Sequence, residues 1–401
     1  MCQQSVLPME SVGIHIQQLS PRSMTPRTDY LPFGRPNFSQ EEITAVTDVL
    51  RSGWIGMGPQ TIAFEGELAS AAGAKHVVTV NSCTSALHLA LMVNGIGPGD
   101  EVICPSLTWC STANAALYLG AKPVFCDLDP ETLCLTPATV RAALTAKTKV
   151  VIVVHYGGLA VDVEAIRAVL PASVQIVEDA AHAFGAHYAN GRPMGSSGNS
   201  TCFSFYANKN LSTAEGGAVA LGDETIANRL RELRQHGLPN DAWKRFTDPR
   251  RLNAGQPLEL GYKMNYTDLQ AALGRVQLRR QPEFAARRLE IARRFAARMP
   301  GIKVSLHAQK GVTEEHHARH LFVLRLPASI DRNAVLLRMR ALNIGASIHY
   351  SPLHLMSIYG VTGHLPVTEE IAPRLLTLPI SASMSLSDAD NVMDAMADAL
   401  A

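Results

Sequence analysis

The stretch Lys149-Val150-Val151-Ile152-Val153-Val154-His155 limits what this chain can fold into more than any other. Five β-branched apolar residues in a row leave no face for water, so a strand built from them is covered on both sides. Such strands belong to parallel sheets with crossover helices above and below. Residues 76–80, 101–105, 123–127 and 175–179 read as further short strands, with helical patterns at 86–91, 106–120 and 162–170 between them. Upstream, Ser39-Gln40-Glu41-Glu42 supplies an N-cap and an acidic first turn for a helix through Leu50, and a second helix spans about 61–72. Strands alternating with helices over more than 150 residues imply a mostly parallel sheet flanked by helices.

In that architecture ligands gather at the carboxyl ends of strands. The turn Asn81-Ser82-Cys83-Thr84-Ser85 follows the first strand, and it suits either a phosphate or an ordinary helix cap. Trp109, then Asp179 with His182, follow later strands. The run Cys202-Phe203-Ser204-Phe205-Tyr206-Ala207-Asn208-Lys209 places a lone lysine in apolar and aromatic surroundings, closed by Glu215-Gly216-Gly217. Burying an ammonium is costly unless its charge is paired or lost. A desolvated amine has a lowered pKa and condenses readily with a carbonyl; the alternative is a strand-end lysine that reaches solvent.

Pyridoxal phosphate chemistry needs an amine, a carboxylate for the pyridine nitrogen, a stacking ring, a partner for the phenolic oxygen and donors for the phosphate. Lys209, Asp179, Trp109, His182 and the group Cys83, Thr84 and Ser204 are the candidates in that order.

The rest of the chain sets bounds. At 401 residues there is room for two domains, and 47% apolar, 18% charged residues and a net charge of +1 give no basic excess for nucleic acid. No apolar run nears the roughly 20 residues of a membrane helix. Residues 1–28 read as a flexible extension without the pattern of a secretory signal. Seven cysteines with no C-x-x-C pair fit reduced core residues and a cytoplasmic setting. A long irregular loop covers 238–257. Two consecutive helices are expected from Thr267 past Pro282 to Met299, then strands at 321–326 and 346–350 and helices at 333–342 and 387–400. His316, His317 and His320 lack metal-ligand spacing and read as a solvated face, so no metal is assigned.

Several motifs together resemble the DegT/DnrJ/EryC1/StrS aminotransferases. They are Pro105-Ser106-Leu107-Thr108-Trp109 with Ser111-Thr112-Ala113-Asn114, then Val154-His155-Tyr156-Gly157-Gly158 and Glu178-Asp179-Ala180-Ala181-His182-Ala183. Phe203-Ser204-Phe205 through Glu215-Gly216-Gly217, and Gly261-Tyr262-Lys263-Met264-Asn265, complete the set. The likeness covers residues 30–401 and is nearest in look to members that aminate a 4-keto nucleotide sugar, such as a UDP-4-keto-pentose.

The resemblance implies an α/β fold of aminotransferase fold type I. It comprises a large cofactor-binding domain over 29–272, with a mostly parallel sheet flanked by helices, and bridging helices plus a smaller C-terminal α+β domain over 273–401. It implies pyridoxal 5'-phosphate as cofactor, Lys209 as the amine that binds it and Asp179 as the partner of its ring nitrogen. Trp109 becomes the stacking ring and His182 the neighbour of the phenolic oxygen. Thr84, Ser204 and the Cys83 backbone become phosphate contacts.

Asn265 matches a residue that reaches the neighbouring subunit's cofactor, which implies a homodimer with shared active sites. His349, His354 and Arg250, with Arg245 and Arg251 nearby, are candidate substrate contacts. The implied reaction moves an amino group from L-glutamate, released as 2-oxoglutarate, to a keto sugar by ping-pong chemistry. A keto-cyclitol acceptor and a non-catalytic regulatory protein remain alternatives. Position 83 departs from the family's common glycine and position 159 is leucine in a variable loop. Lysine at 209 argues against the family's dehydratase variants.

Overall fold

The computed structural model describes residues 24–239, 256–360 and 363–401. Among these, seven strands form one sheet: β1 (His76–Val80), β2 (Glu101–Pro105), β3 (Lys122–Cys126), β4 (Thr148–Val154), β5 (Gln175–Asp179), β6 (Ser200–Ser204) and β7 (Gly217–Leu221). Their order is β1-β7-β6-β5-β4-β2-β3, and neighbours run parallel except at β7, which is antiparallel to both β1 and β6.

The run that constrained the fold is the interior strand β4. Its side chains alternate between two cores: Val151 and Val153 join Phe64, Leu68 and Phe203 on one face, while Val150 and Ile152 join Ala86, Leu89 and Leu230 on the other. Helices Cys83–Val93, Cys110–Leu117 and Glu224–Leu233 cover the second face. Helices Pro59–Ala72, Pro137–Ala143 and Val163–Arg167, with the start of Asp268–Arg298, cover the first.

A third core lies in the C-terminal region. There β8 (His307–Ala308), β9 (Phe322–Arg325) and β10 (Leu375–Leu378) form an antiparallel sheet in the order β10-β9-β8. Helices Arg332–Ala341 and Leu386–Ala399 bury Met339, Val392 and Met396 against it.

Two expectations are corrected here. The pair of helices drawn around Pro282 is one helix of 31 residues, Asp268–Arg298, which crosses the position 272/273 where the domain boundary was placed. A helix-interior proline costs about 3 kcal/mol, and burial of Val276 before it and Phe284, Ile291 and Phe295 after it outweighs that. The strand expected at 346–350 is a single bridge, Ser347 to Thr377, after which the chain turns His349 and Tyr350 toward the large sheet. Residues 1–23, Arg245, Arg250 and Arg251 lie outside the described residues.

Candidate active site

A cavity of about 490 Å³ opens where β1, β2, β4, β5 and β6 end. Each ending contributes side chains: Cys83 and Thr84 after β1, Trp109 after β2, Asp179 and His182 at β5, and Ser204 and Lys209 at β6. Lys209 sits on the connection that reverses the chain from β6 into antiparallel β7, so the reversal brings the lysine back over the sheet end.

Asp179 is buried. Thr112 Oγ1 donates to its Oδ2 at 2.8 Å, and the Ala181 N–H donates to Oδ1 at 3.1 Å. Burial pushes its pKa up, against the pull of these two donors and the Lys209 charge. Its neighbour Glu178 points to the opposite face, as strand alternation requires. There it accepts hydrogen bonds from Tyr188 (2.6 Å), Asn199 (2.8 Å) and Ser197 and faces His155 Nε2 at 2.8 Å. Of the two adjacent carboxylates, one braces the sheet end and the other faces the cavity.

Burial pushes the half-buried Lys209 amine down to about 8. His182 is kept neutral, well below the usual histidine range, by burial and by the nearby Lys209 charge. The Gly157 N–H donates to its Nδ1 at 3.3 Å, so Nε2 carries the hydrogen and donates to the Tyr350 hydroxyl at 3.0 Å.

The phosphate end is a helix N-terminus. Ser82 caps helix Cys83–Val93 by accepting from the Ser85 N–H, and the Cys83 and Thr84 N–H groups have no intrahelical acceptor. Strand β7 passes directly beneath. A Cβ at Gly217 would lie 2.6 Å from the Cys83 nitrogen, so only glycine permits the approach.

These features fit pyridoxal phosphate. Asp179 is a buried carboxylate with no cation among the described residues within ion-pairing distance, so a protonated ring nitrogen answers its charge. A helix N-terminus with free N–H groups answers a phosphate.

Of the residues named from sequence, Cys83, Thr84, Trp109, Asp179, His182, Ser204, Lys209 and His349 line this one cavity. Trp109 is 61% exposed, with its ring 5.8 Å from that of Tyr350. The His349 imidazole is pushed down to about 3 by burial and the Lys209 charge, and its Nδ1 meets Thr377 Oγ1 at 3.1 Å.

Asn265 does not line the cavity of its own chain and donates to the Tyr266 carbonyl at 3.1 Å. His354 does not line it either. It is buried, with Nδ1 2.6 Å from Ser106 Oγ and Nε2 3.0 Å from Glu369, a strut that fixes the loop carrying His349 and Tyr350. His317 and His320 are also buried, which corrects the solvated face expected of them: the strand they precede lies inside the fold.

Thr112 and Tyr350 were not assigned a role, and His320 was considered only as part of a solvated histidine cluster. Thr112 stands one helical turn after Trp109, and Tyr350 follows His349, so both had local signals. His320 had none, since its meeting with Lys209 spans 111 residues.

The model of the DegT/DnrJ/EryC1/StrS aminotransferase family matches residues 36–397. The chain belongs to this family. It is 42% identical over 388 residues, 93% of this chain and 97% of the relative, to the spore coat polysaccharide biosynthesis protein SpsC of Bacillus subtilis (strain 168). Among solved structures, the aminotransferase TlmJ of Streptoalloteichus hindustanus is similar with a TM-score of 0.85 and 35% identity, over 92% of this chain and 99% of that one. The putative sugar aminotransferase Spr1654 of Streptococcus pneumoniae, in its PLP form, is similar with a TM-score of 0.83 and 32% identity, over 92% and 98%. The chain is therefore a pyridoxal phosphate-dependent aminotransferase of fold type I, as the motifs implied.

Proposed function

We propose that this aminotransferase moves an amino group from L-glutamate to a keto sugar carried on a nucleoside diphosphate, in two half-reactions of a ping-pong cycle. The observation that carries the reading is one cavity holding a depressed lysine amine, a carboxylate without a cation, a neutral histidine and a free helix N-terminus.

Pyridoxal phosphate, when bound, supplies an electron sink for the negative charge left when a proton leaves the substrate carbon. The Cys83 and Thr84 N–H groups and the Ser204 hydroxyl would hold its phosphate. Asp179 would keep a proton on its ring nitrogen, and Thr112 and Ala181 fix that carboxylate in place. His182 Nε2–H, which meets the Tyr350 hydroxyl in this structure, would donate to the phenolic oxygen of the bound cofactor, and Trp109 would cover one face of its ring. Lys209, with a pKa of about 8, takes and returns a proton near neutral pH. His349 and Tyr350 line the same cavity and would meet the acceptor there.

A second copy of the chain would bring Asn265 to this cavity. Exposed Tyr118, Leu355 and Ile358 support a homodimer, since they sit on two segments that the Tyr359–Asn114 hydrogen bond (2.9 Å) holds together. Among the described residues no helix is long and apolar enough to cross a membrane. The described cysteines are free and all but Cys110 are buried, which fits a reducing cytoplasm.

Lys209→Ala is expected to lose the visible absorbance of the purified enzyme and all turnover; turnover that persists ends the assignment. A panel of UDP-, dTDP- and GDP-linked keto sugars beside keto-cyclitols tests the acceptor. Turnover confined to the cyclitols would reject the nucleotide-sugar reading.

A further inference from the structure

Among the described residues no carboxylate is hydrogen-bonded to the amine of Lys209. Its hydrogen-bond partner among them is His320 Nε2, 3.3 Å away. His320 lies two residues before β9, and the backbone on either side of it is pinned. The Ala318 N–H donates to the Gly158 carbonyl at 2.9 Å and the Leu321 N–H to the Gly157 carbonyl at 3.1 Å. Asn210, next to Lys209, donates to the Ala318 carbonyl at 2.8 Å, and Arg288 of the long helix donates to the Arg319 carbonyl at 3.2 Å. The His320 ring rests on the His182 ring, with centroids 4.6 Å apart and planes at 33°. Its Nδ1 is buried and unpartnered. The imidazole thus spends one nitrogen's hydrogen bonding to turn the other onto the lysine.

We propose that His320 is the positioning residue of Lys209, accepting a hydrogen bond from its amine whenever that nitrogen is not bound to the cofactor. An amine tethered through one N–H keeps its lone pair in a fixed direction, and the Lys209 lone pair is then available to the cavity. The chemistry of the tether matters. A carboxylate in this place would stabilise the ammonium and remove the lone pair. A neutral imidazole orients the amine without adding negative charge, and His320 is kept neutral by its burial and by the Lys209, His182, Arg288 and His349 groups around it. The proposal rests on Lys209 being the amine that binds pyridoxal phosphate.

The test follows cofactor capture by full-length chain stripped of cofactor. Added pyridoxal phosphate is captured when the Lys209 lone pair attacks the aldehyde carbon and the aldehyde oxygen leaves as water with the two amine protons, and capture is read as visible absorbance in stopped flow. Pyridoxamine phosphate, which has no aldehyde, reports the integrity of the pocket through its equilibrium affinity. His320→Phe keeps a ring and removes the acceptor, and it is expected to slow capture by about tenfold or more while pyridoxamine phosphate affinity stays at the wild-type value. His320→Gln restores an acceptor at similar reach and is expected to recover most of the rate. If the phenylalanine variant does not fold, His320→Leu replaces it.

Capture by His320→Phe at the wild-type rate overturns the proposal. So does a glutamine variant as slow as the phenylalanine one, or a fall in pyridoxamine phosphate affinity that matches the rate loss. Lys209→Ala separates the two readings: a visible band that survives there removes the Lys209 assignment itself, whereas its loss beside a normal His320→Phe removes only the role of His320.

Discussion

Burial shifts Lys209 and Asp179 in opposite directions, the amine down to about 8 and the carboxyl up, because it penalises the charged form of each. For the lysine the linkage sign follows directly. The unfolded chain binds this proton up to about 10.5 and the folded chain only up to about 8, so the penalty is present in full below pH 8 and gone above 10.5. Cofactor-free Lys209→Met is therefore expected to be more stable than the cofactor-free wild type by about 3 kcal/mol at pH 7. The gap should close as pH rises toward 10.5; denaturant titrations of the two proteins across that range check it. Asp179→Asn keeps the shape and the Thr112 contact but loses the charge that holds a proton on the ring nitrogen. A loss in kcat of roughly 100-fold or more is expected, with a changed absorption maximum in the purified enzyme. Both residues were legible in the sequence because each stood at a strand end inside a motif. Thr112 had a motif but no assigned role, since nothing in a linear sequence says which helix face will meet β5.

At the scale of elements, two buried carboxylates join helices that are far apart in the chain. Asp268, the first residue of the long helix, accepts from the N–H groups of Gly58, Gln60 and Thr61 at 2.8, 3.1 and 2.9 Å and from Thr61 Oγ1 at 2.7 Å. It caps helix Pro59–Ala72, whose own N-cap residue, Gly58, has no side chain to do so. Asp268→Ala leaves these donors without an acceptor and should cost about 3 kcal/mol, read from urea denaturation.

Glu42 belongs to the capping box of helix Gln40–Ser52 and also accepts from Gln277 at 2.7 Å and Arg280 at 2.8 Å of the long helix. Burial works to raise its pKa, but the Ser39 hydroxyl and N–H, then Arg280 and Gln277, hold it at about 2. Its contribution is thus present above the ordinary carboxylate value and lost as pH falls toward 2. Glu42→Gln should flatten the acid limb of the stability profile between pH 4.5 and 2. The capping box was readable from Ser39-Gln40-Glu41-Glu42. The cross-helix partners were not, because they lie more than 230 residues away.

For the whole molecule, the homodimer reading makes a prediction that neither residues nor elements reach alone. If Asn265 serves the partner's cavity, Lys209→Ala and Asn265→Ala each damage a different half of every site. A mixed dimer then carries one doubly altered site and one intact one. Random reassortment of the two impaired proteins should restore about a quarter of wild-type activity. Mixing that restores nothing, with dimer exchange verified by mass, would place Asn265 in its own chain's structure alone.

The sequence by itself determined the sheet class, most strands of the large sheet, the family and the cofactor chemistry. These depend on periodicity and on short motifs, where the relevant residues are neighbours. Only the tertiary structure decided that the long helix runs through Pro282, that His354 is a strut, and that His320 faces Lys209. Each of these is settled by packing between segments far apart in the chain, and a side chain's surroundings then override what its local sequence favours.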